Sequence, residues 1–295
     1  MNLRPVSTFS IVARDPATTD LGVAVASKFL AVGAVVPWVT GGVGAVATQS
    51  YANTSFGPRA LEAMRAGKSV HEIAALLEAN DTEYASRQYG LVDGTGEAFT
   101  FTGAACHAWA GGRTGAGYAV QGNLLAGAGV VDAMAETFEA RTELPLPERL
   151  LEALLAGDRA GGDARGRQGA ALYVARVDGG YAGFNDRYVD LRVDDHITPI
   201  SELRRLLGIH RLLFERPNPE TWLEIRGDVA RRLGAVLVCA GKLEVMPTNW
   251  ESASQAALEG LAGTENLEER MVKHGFVDPL VLEYLEQKYG LESAR

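Results

Sequence analysis

The sequence predicts an α+β fold in which two antiparallel sheets carry helices on their outer faces. Strand-like segments come in runs, and runs of helix-like segments with a period of 3.6 residues separate them. Runs of this kind favour antiparallel layers over a parallel sheet, which would alternate single strands with single helices. The 34 glycines cluster in the first two thirds of the chain and indicate sharp bends and close backbone approaches there.

The N-terminal part predicts four strands and then two helices. The strand segments are FSIVARD, LGVAVAS, AVGAVVPWV and GVGAVATQ, and the first two form a candidate hairpin across the turn sequence PATTD. The first helix segment, GPRALEAMRAG, has Pro58 near its start and Gly67 at its end. The second, SVHEIAALLEAN, has Ser69 as N-cap and Glu72 three residues later, which is the capping-box spacing.

The pattern then repeats as strands, two helices and strands, and ends in a helical module. The strand segments are RQYGLVD, GEAFTF, AGYAVQGN, AALYVARV and YVDLRVDD, and the helix segments are VVDAMAETFEA, PERLLEALLAG and ITPISELRRLLGIHRLLFE. The sequence PNPE marks a boundary, so we predict one domain over residues 8–215 and a small helical domain over 218–295. The latter contains the predicted helices ETWLEIRGDVARRLGAV, NWESASQAALEGLAG, ENLEERMVKHG and DPLVLEYLEQKYG.

Composition narrows the functional classes. The net charge of −9 argues against a nucleic-acid partner, because phosphate recognition needs a basic surface. Two distant cysteines, Cys106 and Cys239, do not form a disulfide framework and suit a reducing compartment. The polar start Met1–Ser7 lacks the apolar segment of a secretion signal, and no apolar run is long enough for a membrane span. We therefore expect a cytoplasmic protein.

Hydroxyl residues near the N-terminus are the first chemical candidates. A threonine whose own α-amine is free can use that amine as general base, so Thr8 is a candidate nucleophile. The alternative is a solvated hydroxyl at a strand end. Ser27 and Lys28 follow a buried strand, where a lysine can activate a hydroxyl or hold a carboxylate, although a lysine extended to solvent is the simpler interpretation.

Two charged segments are further candidates. GGDARGRQ, from Gly161 to Gln168, could hold a substrate carboxylate with its arginines or contain only an internal Asp163–Arg165 ion pair. DLRVDDH, from Asp190 to His196, predicts an ion network rather than a metal site. A carboxylate–histidine ligand set needs a third member, and the sequence cannot place one.

Several sequence blocks, taken in order, resemble a known family. They are LGVAVASKFLAVGAVVPW, GVGAVATQ, GPRALE, RQYGLVD, TGAACHAWAG, VQGNLLAG, RLLEALLAGDRAGGDARGRQGAALYVAR and YVDLRVDDH. Over residues 8 to about 210 the chain resembles DUF1028, a family placed in the Ntn-hydrolase-like superfamily. The resemblance implies a four-layer αββα sandwich.

The leading hypothesis is an amidohydrolase of the N-terminal-nucleophile type that acts on a C–N amide bond of a small or peptide-like substrate. Thr8 matches the threonine that methionine removal exposes in the family, but seven residues precede it here. A later start, self-cleavage of the Ser7–Thr8 bond, and absence of this chemistry all stay open. Gly169 also replaces the serine that usually follows RGRQ.

The predicted catalytic residues are Thr8 as nucleophile and Lys28 as stabiliser of negative charge, with backbone N–H groups or Asn123 as the oxyanion donors. The predicted substrate-binding residues are Ser27, Gln49, Asp163, Arg165, Arg167, Gln168, Asp194 and His196. The mechanism needs no metal or organic cofactor. A homodimer is the default assembly.

The C-terminal segment AVLVCAGKLEVMPTNWESASQAALEGLAG resembles the peptidoglycan-binding domains appended to this family, through Gly241, Trp250 and the helix SASQAAL. The alternative function is therefore a non-catalytic binding protein on the same scaffold, with peptidoglycan fragments as partners of the C-terminal domain.

Overall fold

The structure is a computed structural model that describes residues 7–271 and 273–291. It divides into two compact units, Met1–Leu207 and Gly208–Arg295. The division falls inside one helix, Pro199–Phe214, whose first half contributes Ile200 and Leu203 to the core of the first unit.

The first unit contains a six-stranded antiparallel sheet. Its strands lie in the order β10-β9-β2-β1-β8-β7, so the predicted hairpin β1–β2 is at its centre. The strand bounds are β1 Thr8–Arg14, β2 Leu21–Ser27, β7 Gly111–Gly115, β8 Tyr118–Gly122, β9 Gly169–Ala175 and β10 Arg187–Val193. Both central strands are buried almost throughout, as strands are when both faces of a sheet are covered.

A four-stranded antiparallel sheet, in the order β3-β4-β5-β6, packs against the first sheet. Its bounds are β3 Pro37–Thr40, β4 Gly44–Ser50, β5 Arg87–Asp93 and β6 Ala98–Thr102. Val12 and Val23 of the first sheet share one apolar cluster with Val39 and Ala47 of the second. Alternate residues of each strand therefore face the other sheet.

Helices cover both outer faces. α1 (Phe56–Arg65) and α2 (Val70–Ala79) pack on the four-stranded sheet, and α3 (Gly129–Ala140) and α4 (Leu146–Arg159) pack on the six-stranded sheet with the start of α5 (Pro199–Phe214). The predicted four-layer αββα sandwich is thus confirmed. Ser69 and Glu72 form the predicted capping box at the start of α2, with both reciprocal hydrogen bonds present.

The second unit is mainly helical. It contains α6 (Gly227–Cys239), α7 (Ser252–Thr264), α8 (Pro279–Lys288) and a two-stranded sheet of β11 (Leu223–Glu224) and β12 (Phe276–Val277). The buried Arg270 pairs with Asp278 and donates to the main-chain carbonyls of Arg211, Leu212 and Glu215 at the end of α5. This cation thus lies at the C-terminal end of α5, where the helix dipole is negative and favours a positive charge.

Some local predictions were wrong. Part of AVGAVVPWV forms a short 3-10 helix, Val32–Ala34, because Ala31 is in the left-handed region, and only Pro37–Thr40 is strand. In its described residues, 265–271 and 273–275, the segment ENLEERMVKHG forms a 3-10 turn at Glu268–Arg270 instead of the predicted helix, because Asn266 and Gly275 have positive φ. None of the described helices is long and apolar enough to cross a membrane.

Candidate functional site

The ends of three neighbouring strands bring predicted site residues together. Thr8, the first residue of β1, is fully buried and lies opposite Ser27, the last residue of β2. Asn123 follows β8, and its main-chain N–H donates to the Thr8 carbonyl at 3.0 Å. The sheet register thus collects residues that are far apart in the chain at one end of the sandwich.

The carbonyl group of Ser7 is the acyl group on the Thr8 nitrogen, and two side chains donate to its oxygen. Ser27 Oγ donates at 2.5 Å and Arg165 Nη2 donates at 2.9 Å. Donors aimed at an acyl oxygen stabilise the negative charge that develops there when the carbonyl carbon is attacked. Residues 1–6 lie outside the described residues, so the predicted leader segment is described only at Ser7.

Asp163 holds Arg165 in this position. Its two carboxylate oxygens accept from Arg165 Nε at 3.0 Å and Arg165 Nη2 at 2.7 Å, and one also accepts from the Lys28 main-chain N–H at 2.9 Å. The side chain of Asp163 is buried, which makes the fork geometry with Arg165 well defined. The internal Asp163–Arg165 ion pair, one of the two interpretations of this loop, is therefore present, and Arg165 still reaches the acyl oxygen.

The remaining predicted residues of this region point elsewhere. Lys28 is exposed, and its Nζ donates to the Arg167 carbonyl at 3.1 Å. Arg167 pairs with Asp158 at 2.6 Å, a hydrogen bond that raises the pKa of the guanidinium. Gln168 donates to Asp195 at 3.0 Å. Each of these side chains is thus hydrogen-bonded to another part of the protein, and these bonds are not to Thr8.

Asp194 and His196 lie on the exposed segment after β10. The Asp194 carbonyl accepts from the Ala31 N–H at 3.0 Å, and His196 Nδ1 accepts from the Thr198 N–H at 3.1 Å. On β10 itself, Asp190 pairs with Arg192 at 3.0 Å and with Arg187 at 3.3 Å, so part of the expected ion network is present. Among the described residues, no group of three or more His, Cys, Asp or Glu side chains is placed to hold a metal ion.

Three glutamines form a buried polar layer between the two sheets beside Thr8. Gln49 of β4 donates to the Thr8 carbonyl at 3.2 Å and to Gln88 Oε1 at 2.9 Å, and it accepts from Ser10 Oγ at 2.6 Å. Gln121 of β8 donates to Ser10 Oγ at 2.7 Å. The layer therefore ties β1 and β8 of one sheet to β4 and β5 of the other.

Main-chain carbonyls fix the orientation of these amides. Gln88 Nε2 donates to the carbonyl oxygen of Gly122 at 2.7 Å and of Gly111 at 3.3 Å, so Gln88 Oε1 must be the accepting end. Asn123 Nδ2 donates to that oxygen at 2.8 Å. One amide hydrogen of Asn123, the predicted oxyanion donor, is therefore used in the bond to Gln88. Its Oδ1 is buried and has no partner among the described residues.

A pocket of about 380 Å³ opens beside Ser27 and Asp163. Phe9, Ala126 and Ile200 contribute apolar wall, and Asp158 and Arg167 contribute charge. This volume fits a small ligand, at the lower end of the usual size range of binding pockets. Ser27 belongs both to the pocket wall and to the pair of donors on the acyl oxygen.

Sequence reasoning predicted Gln49 and Asn123 as site residues but missed Gln88 and Gln121 of the polar layer, as well as one neighbouring cluster. Glutamines inside otherwise apolar strands, as in RQYGLVD and YAVQGN, were the available signal. Near the same end of the sandwich, His107 Nε2 lies 3.4 Å from Tyr51 Oη. Cys106 is half-buried, and burial raises the pKa of its thiol, which disfavours the thiolate and agrees with a structural free cysteine.

Comparisons with known proteins agree with this architecture. The sequence model of a family described as "Family of unknown function (DUF1028)" matches residues 8–203, and that of the "Putative peptidoglycan binding domain" matches residues 213–285. The crystal structure of protein SPO2555 from Silicibacter pomeroyi, assigned to DUF1028, is similar with a TM-score of 0.62 and 31% identity, over 76% of this chain and 89% of that one. No curated protein matches the chain.

Proposed function

The chain belongs to DUF1028, a family of unknown function, and we propose that its first unit is an amidohydrolase of the N-terminal-nucleophile type. The substrate would be a small or peptide-like molecule with a C–N amide bond. In the second unit, the match to a peptidoglycan-binding-like domain suggests a binding role.

One observation carries the proposal: two donors, Ser27 Oγ and Arg165 Nη2, meet on the oxygen of the acyl group attached to Thr8. After attack on a substrate, the acyl group would be bonded to the Thr8 hydroxyl oxygen, a few atoms from the position of the Ser7 carbonyl. The donors that now hold the Ser7 carbonyl would then meet the oxygen of a substrate carbonyl. Asp163 would keep the Arg165 guanidinium directed at that oxygen during the reaction.

The proposed reaction needs a free Thr8 amine, which requires removal of the residues up to Ser7. An α-amine titrates at about pH 7.7–8.0, so it can take the hydroxyl proton near neutrality. The hydroxyl oxygen then bonds to the substrate carbonyl carbon, the C–N bond breaks, and the leaving amine takes the proton. Water hydrolyses the resulting ester, which restores Thr8 and releases the acid.

The pocket supports a limited substrate size. Its 380 Å³ would accept a compact acyl group rather than a long chain, and its walls combine apolar side chains with the Asp158–Arg167 pair. A substrate carboxylate would have to compete with Asp158 for Arg167. The proposed substrate-binding role of Arg167 therefore predicts weak rather than strict selection for acidic substrates. The role of Lys28 as a stabiliser of charge stays a prediction, as do those of Gln49, Gln168, Asp194 and His196.

The test compares two forms of the protein on a panel of small amides. One form begins at Thr8 after removal of an initiating methionine, and the other retains Ser7, with both starts verified by intact-mass spectrometry. We expect hydrolysis only from the form that begins at Thr8, and loss of hydrolysis in Thr8→Ala. Ser27→Ala should lower kcat by about 10²–10³-fold, the usual cost of one oxyanion donor.

Thr18→Ala is the matched control, because it removes an exposed hydroxyl from the β1–β2 turn of the same sheet. It should leave the rate unchanged. Equal hydrolysis by Thr8→Ala would remove the proposed nucleophile. A folded form beginning at Thr8 that cleaves no amide of the panel would refute the enzyme.

The second candidate function is binding without catalysis, and the match of residues 213–285 favours it. In this candidate, the second unit binds peptidoglycan fragments. Cosedimentation with purified peptidoglycan, with chitin as control polymer, tests it in the full chain. Retention on peptidoglycan alone would support binding, and equal retention on both polymers or on neither would contradict it.

A further inference from the structure

We propose that two copies of this chain associate through the outer edge of β10, antiparallel and centred on Leu191, so that two six-stranded sheets join into one. The partner is a second copy of the chain. The inference is independent of the proposed hydrolase.

The outer edge of β10 offers unpaired main-chain groups. β10 is the last strand of the six-stranded sheet, and among the strands that the structure describes only β9 pairs with it. Along a strand of an antiparallel sheet, the main-chain N–H and C=O groups of successive residues point alternately to the neighbouring strand on one side and to the opposite side. Main-chain bonds such as that from Asn123 N to Thr8 O fix this alternation through the sheet, and it directs the N–H and C=O groups of Asp190 and Arg192 outward.

The main-chain bond from Ala31 N to Asp194 O agrees with this assignment, because Asp194 lies on the same alternation. This bond also occupies the outward carbonyl of Asp194, so the unpaired edge of β10 ends at that residue. Within residues 7–271 and 273–291, no main-chain hydrogen bond joins the outward groups of Asp190 or Arg192 to another element. Exposed edges of this kind pair readily with another strand.

Charge selects the centre of the pairing. Only residues on the outward alternation can form the reciprocally bonded pairs of a two-fold arrangement. Centring on Asp190 or on Arg192 would place like charges opposite each other. Centring on Leu191 places Asp190 opposite the partner's Arg192, and Arg192 opposite the partner's Asp190. Opposite charges across a ladder are favourable and like charges are not.

Apolar surface at the two ends of β10 supports the same arrangement. In the described part of the first unit, the exposed large hydrophobic side chains are Leu30, Val177, Tyr181, Phe184 and Ile197. Three belong to the β9–β10 connection, where Phe184 is 87% exposed, and the others lie beside the opposite end of the strand, where Ile197 is 83% exposed. Antiparallel pairing about Leu191 brings the first group of one copy toward the second group of the other.

This arrangement would also bring the partner's β9–β10 connection toward the pocket beside Ser27. Ile197 stands two residues before Pro199, which lines the pocket. Association would thus cover apolar surface that a monomer leaves in water, which is favourable in proportion to the area removed.

The test uses charge reversal at the two paired positions in the full chain, with sedimentation equilibrium over micromolar concentrations. The wild-type chain should be a dimer. Asp190→Arg and Arg192→Asp should each weaken dimerisation at least about tenfold, because two symmetry-related pairs become repulsive in each. An equimolar mixture of the two variants should restore the dimer, because every pair in the mixed dimer is again opposite in charge.

Lys68→Glu changes an exposed residue of the same unit by the same charge as Arg192→Asp and should leave dimerisation unchanged. Leu191→Cys in a Cys239→Ser background gives a second measurement. The two-fold centre places this residue opposite itself at about 4.5 Å between Cα atoms, which allows an oxidised cross-link. A monomeric wild type, single variants as dimeric as wild type, a mixture that stays monomeric, or no cross-link would each overturn the proposal.

Discussion

Replacing Gln88 by glutamate tests the polar layer on which the candidate site is built. The two side chains have the same shape, but the carboxylate of Gln88→Glu cannot donate. Gln88 Nε2 now donates to the Gly122 carbonyl at 2.7 Å and to Thr102 Oγ1 at 2.9 Å. In the variant at neutral pH, a negatively charged oxygen would instead face the Gly122 carbonyl oxygen in a fully buried position.

The expected cost follows from these contacts. Leaving a buried hydrogen-bonding group without its partner costs about 1–3 kcal/mol, and the charge adds to that cost. We therefore expect Gln88→Glu to lower the unfolding free energy of the first unit by about 3 kcal/mol or more at pH 7. Protonation restores a donor, so the folded state raises the pKa of the introduced carboxyl above its unfolded value of about 4.3. The destabilisation should then grow with pH above about 4.3, by about 1.4 kcal/mol per pH unit, up to the folded pKa.

Native-state hydrogen exchange of β5 and β8, measured at several pH values, reports on the first unit alone. Gln168→Glu is the matched control, because Gln168 is only half-buried and its substitution places a second carboxylate beside Asp195. It should change stability by less than about 1 kcal/mol. A Gln88→Glu variant as stable as wild type at pH 7, or one whose deficit does not vary with pH, would show that the amide orientations deduced above are incorrect.

Three further variants test other parts of the fold by thermal or denaturant unfolding. Burial alone would raise the pKa of Asp81, but hydrogen bonds from Arg87 and Asn53 lower it from 3.8 to about 2. Asp81→Asn should therefore cost about 2 kcal/mol above pH 4, and the difference should fade as the pH falls toward 2; a difference that persists there would contradict the assignment. Arg270→Met should destabilise the second unit by about 3–5 kcal/mol, whereas exposed Arg226→Met should cost about 0.5 kcal/mol or less, and equal effects would contradict the capping role. Ser69→Ala should cost about 1 kcal/mol through loss of the capping box, and a neutral result would show that the cap contributes nothing.

The strands and helices with a strong local sequence pattern could be predicted from the sequence. The buried strands β1 and β2 have continuous apolar or small residues, and α2 has a complete capping box, so their positions could be predicted from a few neighbouring residues. β7 could not, because GGRTG has no apolar alternation and is a strand only through its pairing with β8.

In the candidate site, too, the residues could be predicted from the sequence but their arrangement could not. Thr8, Ser27 and Arg165 were predicted as site residues, but their convergence on the Ser7 carbonyl depends on sheet register and on the Asp163 loop, which no local pattern contains. The role of Asn123 as an oxyanion donor stays a prediction, and the hydrogen bond from its amide to Gln88, which is oriented in turn by the Gly122 carbonyl, could not be predicted from local sequence.

The buried layer between the sheets consists of amides and hydroxyls alone: Ser10, Gln49, Gln88, Thr100, Gln121 and Asn123. None of these groups gains or loses a proton between pH 5 and 9. The layer therefore carries no titrating charge over the physiological pH range, and its hydrogen-bond directions do not change with the pH of the solution. An ionisation near neutrality in a pH–rate profile would therefore belong to a group outside this layer, such as the main-chain amine of a liberated Thr8.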